Sequence, residues 1–320
     1  MSFYKDKVCV VTGGAGGIGR EIVKQLDAQG AKVVMVDILS GEIEKSLALM
    51  TGPGEVLGYH MDVTEEEAWP ALRDFTLEKF GKVDILFNNA GIMYAKGAGT
   101  YNSTDWQYYF EANVMSAVYG CNTFAPVMEK QGFGHISTTA STAALGPNGG
   151  DGIAAPYSPT KAAVLTYKEQ FAINLAMKGS PVTCSVIMPC VVKSELGARL
   201  DWPDYLPKKF QDKRHLIDTR PAEMAQSARD VNMAFLLPKG HPAYEQFRAM
   251  GVMDTDEAVE IILKEIELGY FYIYTHPHMS YNVNLVEFQR RNTPWSQPVS
   301  IAVAIEDATV KSRWIGYNQF

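Results

Sequence analysis

Residues 8–19 read Val-Cys-Val-Val-Thr-Gly-Gly-Ala-Gly-Gly-Ile-Gly, and this stretch decides the fold. Its first four residues form a short apolar run, which is typical of a parallel strand buried on both faces. The glycines that follow allow a tight turn and let the backbone approach a ligand closely, and a helix is predicted to begin there. Glycine clusters also occur in ordinary turns, but between a first strand and a first helix the cluster favours a dinucleotide site.

Further apolar runs rich in valine and isoleucine alternate with helical stretches through residues 7–190. Repeated βα units with short connections predict a doubly wound parallel sheet with helices on both faces, a three-layer α/β/α single domain. The predicted strands are 8–11, 32–36, 55–61, 83–87, 135–138, 182–188 and 269–275.

The helices between these strands have recognisable ends. Gly30 is placed to end the first helix, because glycine readily adopts the left-handed conformation that follows a helix. Thr64 with Glu67, and Thr104 with Gln107, match the capping-box pattern and are predicted to begin the third and fourth helices.

The alternation of predicted strands and helices is interrupted after Pro189. Residues 194–250 carry several prolines and scattered aromatic residues without an evident strand, so we expect a substrate lid inserted over the C-terminal edge of the sheet. A helix is predicted over 254–268. We therefore expect one catalytic domain over residues 1–275, and a C-terminal extension over 276–320 that packs on the same domain.

Composition excludes several classes of protein. A chain of 320 residues with 47% hydrophobic and 20% charged residues is expected to be soluble and globular, and its net charge of −7 argues against a nucleic-acid partner. Neither a signal peptide nor a membrane-spanning run of about 20 apolar residues is evident, so we expect no membrane partner and a cytoplasmic location. The four cysteines lack C-x-x-C spacing and the six histidines lack ligand spacing, so no metal site is expected.

Candidate cofactor residues follow the second, third and fourth predicted strands. Asp37 ends the second strand, where its carboxylate could accept hydrogen bonds from both hydroxyls of an adenosine ribose and would repel a 2′-phosphate. Because neither the glycine loop nor Ile38 supplies an arginine or lysine, we expect NAD rather than NADP. The alternative is that Asp37 only caps the next helix. Asp62 and Val63 lie where the adenine would be held, and residues 88–91 lie beside the cofactor.

Tyr157 and Lys161 are four residues apart, so they share one face of a predicted helix. A phenol has a pKa near 10, and an ammonium about 4 Å away could lower that pKa by about 3 units, which would let the tyrosine act as a base. Such pairs are common by chance on solvated helices, but a nucleotide site precedes this one.

Together these motifs resemble the short-chain dehydrogenase/reductase family, in the subgroup with T-G-x-x-x-G-x-G and Y-x-x-x-K, over about residues 5–194. They occur in the family's order: Thr12 to Gly19, Asp62-Val63, Asn88 to Gly91, Asn113-Val114, Ser141, Tyr157 with Lys161, and Pro189 to Ser194. The resemblance implies an NAD-dependent alcohol dehydrogenase with cofactor-binding residues Gly13, Gly17, Ile18, Gly19, Asp37, Asp62, Val63, Asn89, Gly91, Tyr157, Lys161, Val192 and Ser194.

The resemblance also implies four catalytic roles. Tyr157 is similar to the general acid/base, and Lys161 to the residue that lowers the tyrosine pKa and holds the nicotinamide ribose. Ser141 is similar to the serine that bonds the reacting oxygen. Asn113, expected within the fourth helix, resembles the asparagine that anchors a water between the lysine and solvent.

Two positions depart from the family pattern. Ser141 lies further before Tyr157 than is usual, because the loop over 146–152 is long, so other hydroxyls of the same strand stay open for the serine role: Ser137, Thr138 and Thr139. Cys190 replaces the usual glycine after Pro189, which is expected to change packing near the nicotinamide and not the chemistry.

Substrate choice is expected to come from Met93, Tyr94, the segment after Leu145 and the lid. If the apolar lid residues line the pocket, a bulky hydrophobic or aromatic secondary alcohol or ketone would fit better than a sugar or a small acid. The alternative is that they only pack the lid onto the core. The lid residues concerned are Trp202, Tyr205, Leu206 and Phe210.

The family resemblance further implies a homodimer or homotetramer, formed through the helices that contain Asn113 and Tyr157. An alanine-rich face at 154, 155, 162 and 163 would permit close approach of helices. Two rival functions stay open: an NADP-linked ketone reductase, and a non-catalytic NAD-binding sensor or scaffold that keeps the fold.

Overall fold

The computed structural model describes residues 2–94, 96, 99–145, 156–194, 196, 206–217, 237, 239–249 and 251–276. These residues build a seven-stranded sheet in which all neighbouring strands are parallel, in the order β3-β2-β1-β4-β5-β6-β7. The strands are β1 Val8–Thr12, β2 Lys32–Asp37, β3 Glu55–His60, β4 Ile85–Asn88, β5 Gly134–Thr139, β6 Val182–Met188 and β7 Tyr272–Tyr274. The predicted doubly wound fold is confirmed.

Helices cover both faces of the sheet. Their ranges are α1 Gly17–Ala28, α2 Ser40–Leu47, α3 Trp69–Phe80, α4 Ser103–Phe110, α5 Ser116–Gln131, α6 Tyr157–Met177, α7 Lys208–Gln211, α8 Arg214–Ile217, α9 Pro242–Ala249 and α10 Thr255–Glu267. Apolar side chains of α1 and α10 form one core layer against the sheet, and those of α3, α5 and α6 form the other. The central strands β1, β2 and β4 read as nearly continuous apolar runs because both of their faces are buried.

The winding of the sheet positions the site. β1 pairs with β2 on one side and with β4 on the other, so the chain changes its direction of winding between β1 and β4. In open α/β sheets a crevice forms at this point, outside the carboxyl ends of the strands. The glycine loop after β1 and the loops after β2 and β4 therefore converge on one edge of the sheet.

The prediction for the end of the first helix is confirmed. Gly30 has φ +81° and its N–H donates to the carbonyl of Asp27 at 3.0 Å, while the Ala31 N–H donates to the carbonyl of Leu26 at 3.0 Å. These two bonds satisfy carbonyls that the helix leaves without partners, and the left-handed φ explains why the position holds glycine.

Both capping-box predictions are wrong. Thr64 does not cap α3; its N–H and hydroxyl donate to Asp62 Oδ1, and α3 begins at Trp69 after a short 3₁₀ turn. α4 is capped two residues earlier than expected, by Asn102 with Asp105 in a reciprocal capping box. The sequence offers overlapping cap patterns in both places, and the contacts of the folded chain select among them.

The predicted lid and extension fall largely outside the described residues. Of the lid, helices α7, α8 and α9 with their flanking residues are described, and of the segment 276–320 only His276 is. The proposed division at residues 275 and 276 therefore stays a prediction. No helix in the described ranges is long and apolar enough to cross a lipid bilayer.

Candidate active site

A cleft of about 400 Å³ opens at the carboxyl ends of the central strands. Most of the predicted cofactor and catalytic residues line it, although their loops are far apart in sequence. Those that line it are Gly13, Gly17, Ile18, Asp37, Asp62, Val63, Asn89, Gly91, Ser141, Tyr157, Lys161, Val192 and Ser194. The remaining two, Gly19 and Asn113, are buried and bond or contact residues of its wall.

The start of α1 packs so closely on the glycine loop that no side chain fits at Gly19. A Cβ atom built at Gly19 would lie 2.0 Å from the carbonyl oxygen of Gly13 and 2.6 Å from Asn89 Nδ2. α1 begins at Gly17, so the unpaired N–H groups and the positive end of its dipole lie at this loop. This end of α1, which lines the cleft at Gly17 and Ile18, therefore suits the pyrophosphate of a dinucleotide.

Asp37 joins the end of β2 to the glycine loop. Its carboxylate is 8% exposed and accepts hydrogen bonds from the Ala15 N–H at 3.1 Å and the Leu39 N–H at 3.1 Å. Leu39 is the residue just before α2, so the helix-capping alternative has a contact in its favour. The same carboxylate lines the cleft, and each of its oxygens can accept a further bond from a ribose hydroxyl.

Asp62 has one carboxylate oxygen that is satisfied and one that is not. Oδ1 accepts the N–H and the hydroxyl of Thr64, at 2.9 and 2.8 Å. Oδ2 is buried, and no donor reaches it from the described part of the chain. A buried acceptor without a partner is costly, so this atom suits a ligand donor such as the amino group of adenine.

Thr12 ties the loop after β4 to β1, a role that the sequence analysis missed. Its Oγ1 accepts the N–H groups of Asn89 and Ala90 at 3.0 and 3.1 Å, and Asn89 Nδ2 donates to the Thr12 carbonyl at 3.1 Å. Thr139 donates its hydroxyl to Asn89 Oδ1 at 3.1 Å. Asn89 thus links the ends of three neighbouring strands, β1, β4 and β5, at the floor of the cleft.

Asn113 lies in a π-helical segment, Glu111–Met115, and not within an α-helix as predicted. Such a wide turn inside a helix is rare and often occurs at functional sites. The side chain bonds both backbone groups of Ile92, accepting from its N–H at 2.7 Å and donating to its carbonyl at 3.1 Å, and also donates to Thr160 Oγ1 at 3.1 Å. Asn113 therefore holds the loop after β4 against α6, and its predicted water-binding role stays a prediction.

Tyr157 begins α6, and Lys161 follows one turn later on the same face. The Ser141 side chain acts on Tyr157 by lowering the pKa of its phenol, and its own hydroxyl donates to the Pro189 carbonyl at 3.3 Å. Lys161 Nζ donates to the Thr139 carbonyl at 2.8 Å and lies 5.6 Å from the centre of the Tyr157 ring. All three side chains are less than 10% exposed. The structure thus brings the predicted triad together in the cleft.

The position of Ser141 decides among the hydroxyls left open by the sequence. The Ser137 hydroxyl accepts a hydrogen bond from the Ser185 hydroxyl of the neighbouring strand β6, and the Thr139 hydroxyl donates to Asn89. Thr138 Oγ1 is buried with no partner among the described residues. Of these four described residues only Thr139 and Ser141 line the cleft, and Ser141 is the one that lowers the pKa of Tyr157, so the unusual spacing did not displace it.

The protonation of the pair differs from the prediction. Burial raises the pKa of Tyr157 to about 12, and the hydrogen bond from Ser141 opposes this rise only in part. Burial also lowers the pKa of Lys161 to about 8. The prediction of a tyrosine pKa below its ordinary value is therefore wrong for these side chains by themselves, because desolvation of the phenol raises that pKa.

The segment after β6 forms the wall opposite α6. Val192 makes an isolated parallel bridge with Met253; the Lys193 N–H donates to the Met253 carbonyl at 2.8 Å, and the Met253 N–H to the Val191 carbonyl at 3.0 Å. The Cys190 N–H donates to Thr275 Oγ1 at 3.2 Å. These contacts fix the segment that carries Val192 and Ser194, and no sequence pattern indicated the part of Met253.

The substrate end of the cleft is apolar. Met93 lines it as predicted, and Tyr108 does so without having been predicted. The prediction for Tyr94 is wrong, because this side chain is buried behind the wall with its hydroxyl bonded to Asp105 at 2.8 Å. Leu206 and Phe210 are buried in the same aromatic cluster, which agrees with the packing alternative. Trp202, Tyr205 and the loop 146–155 lie outside the described residues.

Charge is sparse in the cleft. Among the described residues that line it, only Asp37, Asp62 and Lys161 are charged. The described ranges contain no group of three or more side chains that could hold a metal ion. The described lining therefore offers the hydroxyls of Ser141 and Tyr157 and the ammonium of Lys161 to a substrate oxygen.

Comparisons with known proteins agree with this geometry. A model of the short chain dehydrogenase family matches residues 7–203. The chain is 30% identical to fluoren-9-ol dehydrogenase of Terrabacter sp., over 68% of this chain and 63% of that protein. It is also 30% identical to meso-2,3-butanediol dehydrogenase of Serratia marcescens, over 73% of this chain and 88% of that protein.

A solved structure is similar over nearly the whole chain. It is a short-chain dehydrogenase/reductase from Burkholderia phymatum in complex with NAD, with 27% identity and a TM-score of 0.77 over 94% of this chain and 100% of that one. The resemblance inferred from the motifs is confirmed. The chain therefore belongs to the short-chain dehydrogenase family, whose members are nicotinamide-dependent oxidoreductases that act on alcohols or ketones.

Proposed function

We propose that the protein is an NAD-dependent dehydrogenase of a bulky, apolar secondary alcohol, or a reductase of the matching ketone, with Tyr157 as its general acid/base. The observation that carries the proposal is that the nearly buried side chains of Ser141, Tyr157 and Lys161 line one cleft, with Lys161 one helical turn from Tyr157. These are the groups needed to bind one substrate oxygen and to exchange a proton with it.

The cleft suits a dinucleotide along its length. The glycine loop and the N-terminus of α1 would hold the pyrophosphate, Asp37 the adenosine ribose, and the free oxygen of Asp62 the adenine. Lys161 would hold the second ribose. When bound, the nicotinamide would exchange a hydride with the carbinol carbon, which no side chain can do.

The side chains would handle the proton and the charge. In the oxidative direction Tyr157 takes the hydroxyl proton of the alcohol, and Ser141 donates a hydrogen bond to the oxygen as negative charge develops on it. Lys161 stabilises the phenolate form of Tyr157 electrostatically. In the reductive direction Tyr157 returns the proton to the carbonyl oxygen. Burial of all three groups strengthens these interactions because water screens them little.

The choice of NAD over NADP rests on Asp37. A 2′-phosphate would lie beside this buried carboxylate, and Lys161, at the far end of the cleft, is the only cation among the described lining residues. The similar structure from Burkholderia phymatum was solved with NAD, which supports the same choice.

The proposed substrate class rests on the apolar wall. Met93, Tyr108, Leu196 and Pro207 line the end of the cleft where an alcohol would lie, and no described lining residue there is charged except Lys161. Of the two relatives described above, one is named for an aromatic secondary alcohol and the other for a small diol. The aromatic wall favours the former class for this chain.

A screen of secondary alcohols tests the proposal directly. The panel would contain fluoren-9-ol, 1-phenylethanol, 2,3-butanediol and a sugar alcohol, each with NAD⁺ and with NADP⁺, and the signal is the absorbance of the reduced cofactor. We expect turnover of the aromatic alcohols with NAD⁺. Turnover with NADP⁺ alone would replace the proposal by an NADP-linked reductase. Cofactor binding without turnover of any alcohol or ketone would indicate a sensor or scaffold.

A further inference from the structure

Lys96 and Asp105 form an ion pair that is buried completely. Lys96 Nζ lies 2.8 Å from Asp105 Oδ2, and both side chains are 0% exposed. Removing two charges from water costs several kcal/mol per ion, and such pairs seldom contribute net stability compared with apolar residues of the same size. The pair therefore calls for an explanation other than stability.

Asp105 is the centre of a saturated network. Its Oδ1 accepts the Tyr94 hydroxyl at 2.8 Å, and its Oδ2 accepts both Lys96 Nζ and the Asn102 N–H, each at 2.8 Å. The Asn102 side chain in turn accepts the N–H groups of Thr104 and Asp105 to cap α4. The loop after β4 is thereby held to the start of α4.

Two donors of this network reach into the lid. The carbonyl of Leu216, in α8, accepts Lys96 Nζ at 3.1 Å and Asn102 Nδ2 at 2.6 Å. Leu216 is 120 residues from Lys96 in sequence. The ammonium thus joins a carboxylate of the body of the domain to a backbone carbonyl of the lid.

The described lid segment 206–217 is attached at a second place. Lys209 Nζ donates to the Thr64 carbonyl at 2.5 Å and pairs with Glu111 Oε2 at 3.1 Å. Between the two attachments the Phe210 ring packs on the Tyr108 ring, with centres 5.0 Å apart. Tyr108 lines the cleft, so the placing of this segment controls the aromatic wall.

We infer that Lys96 is a lid anchor: together with Asp105 it is a positioning residue that holds segment 206–217 against Tyr108 and so sets the size of the substrate site. The inference rests on the proposed function only in one respect: it takes an apolar alcohol as the ligand whose binding depends on the position of this segment. Loosening the segment should weaken binding of large alcohols, while the NAD site, which lies along α1 and β2, is left intact.

The test uses a double variant, Lys96→Met with Asp105→Asn, which removes both charges together and so leaves no unpaired buried ion. The exposed neighbour Lys208→Met on α7 is the matched control. Hydrogen exchange of the amides in 206–217 is measured, together with KM and kcat for a large and a small alcohol and KM for NAD⁺. Loss of a charged hydrogen bond is expected to speed exchange and raise KM for the large alcohol by about tenfold, with KM for NAD⁺ unchanged.

Asn102→Asp gives a second, milder test in case the double variant does not fold. Aspartate caps a helix as well as asparagine does, but it cannot donate to the Leu216 carbonyl. Faster exchange confined to 206–217 is expected here too.

Exchange that stays at the wild-type rate in the variants that fold would overturn the anchor. Faster exchange with unchanged KM for large alcohols would overturn its part in specificity. If no alcohol reacts in the wild type, the proposed function fails, and hydrogen exchange still decides the anchor.

Discussion

Tyr157 shows how burial and bonding compete at a single residue. Desolvation raises its pKa to about 12, and the bond from Ser141 opposes that rise. A phenol that is neutral at pH 7 is ready to donate a proton to a ketone. To accept one from an alcohol it needs positive charge nearby, which Lys161 and an oxidised nicotinamide ring would supply.

Tyr157→Phe should abolish most turnover without disturbing the site. The variant keeps the ring in its packing and removes only the hydroxyl, so we expect kcat to fall by about 10²- to 10⁴-fold. Binding of NAD, measured by calorimetry, should change little. A phenylalanine variant with most of its activity would mean that another group moves the proton.

The pH dependence of the two directions should have opposite signs. Because the pKa of Tyr157 is raised, the phenolate fraction increases throughout the neutral and alkaline range, so kcat/KM for alcohol oxidation should rise from pH 6 to 9. Reduction needs the phenol, which is already the main form, so its rate should be flat or fall. Lys161→Met removes the ammonium. The rise of kcat/KM for oxidation with pH should then occur at a pH higher by about one unit or more. An oxidation rate that falls with pH, or a rise that occurs at the same pH in this variant, would contradict the assigned roles.

Asp37→Ala tests the choice of cofactor. The substitution removes the carboxylate that would bind the ribose and repel a 2′-phosphate, so KM for NAD⁺ should rise and relative use of NADP⁺ should improve by about tenfold or more. Glu42→Ala is the control, since this acid lies nearby on α2 in a surface pair with Lys45. A cofactor ratio that is equal in both variants would count against the ribose assignment.

At the scale of elements, α6 is set on β5 by two buried lysines. Lys161 Nζ bonds the Thr139 carbonyl, and Lys168 Nζ bonds the Ile136 carbonyl at 3.2 Å. Seven residues of a helix and three of a strand both span about 10 Å, so the two contacts match along antiparallel directions. This match fixes the rotation and height of the helix that presents Tyr157 to the cleft.

The first turn of α1 tolerates no side chain at Gly19, where the helix packs on the glycine loop. Gly19→Ala would place a Cβ 2.0 Å from the Gly13 carbonyl oxygen, so the loop must shift. We expect a loss of about 1 to 3 kcal/mol in the free energy of unfolding and weaker NAD binding. Gly41→Ala in α2 is the matched control: nothing lies within 4 Å of its Cβ, and a gain of about 0.5 to 1 kcal/mol is expected. Chemical denaturation measures the free energy of unfolding of both variants. Equal values for the two variants would show that the loop shifts without cost to make room for the added Cβ.

At the scale of the whole molecule, apolar side chains remain on the outside of the helices that flank the site. On α6, Ile173 is 53% and Met177 is 82% exposed, and on α4 Phe110 is 39% exposed. Exposed apolar side chains on neighbouring helices favour association with another copy of the chain, which agrees with the proposed homodimer or homotetramer.

Light scattering should therefore report a mass of two or four chains. Ile173→Glu introduces a charge into the proposed contact and is expected to shift the population towards monomer, whereas Glu78→Gln, on the exposed face of α3, should not. A wild-type protein that is monomeric at micromolar concentration would contradict the assembly.

The sequence alone was sufficient for the fold and for naming most of the predicted site residues that line the cleft. Strand and helix periodicity, the glycine loop and the pair Tyr157 and Lys161 are local patterns, and they placed all seven strands in a doubly wound sheet. Local patterns succeed here because strands buried on both faces must be apolar throughout, and because a helix turn puts residues four apart on one face.

Only the tertiary structure decided what depends on neighbours distant in sequence. It placed the cap of α4 at Asn102, the wide turn at Asn113, Tyr94 behind the wall and Met253 beside Val192. It also decided the direction of the Tyr157 pKa shift, since desolvation is a sum over every atom packed around the phenol. Burial of this kind, like the contact between Lys96 and the lid, depends on residues that are far apart in sequence. A local sequence pattern therefore cannot predict it.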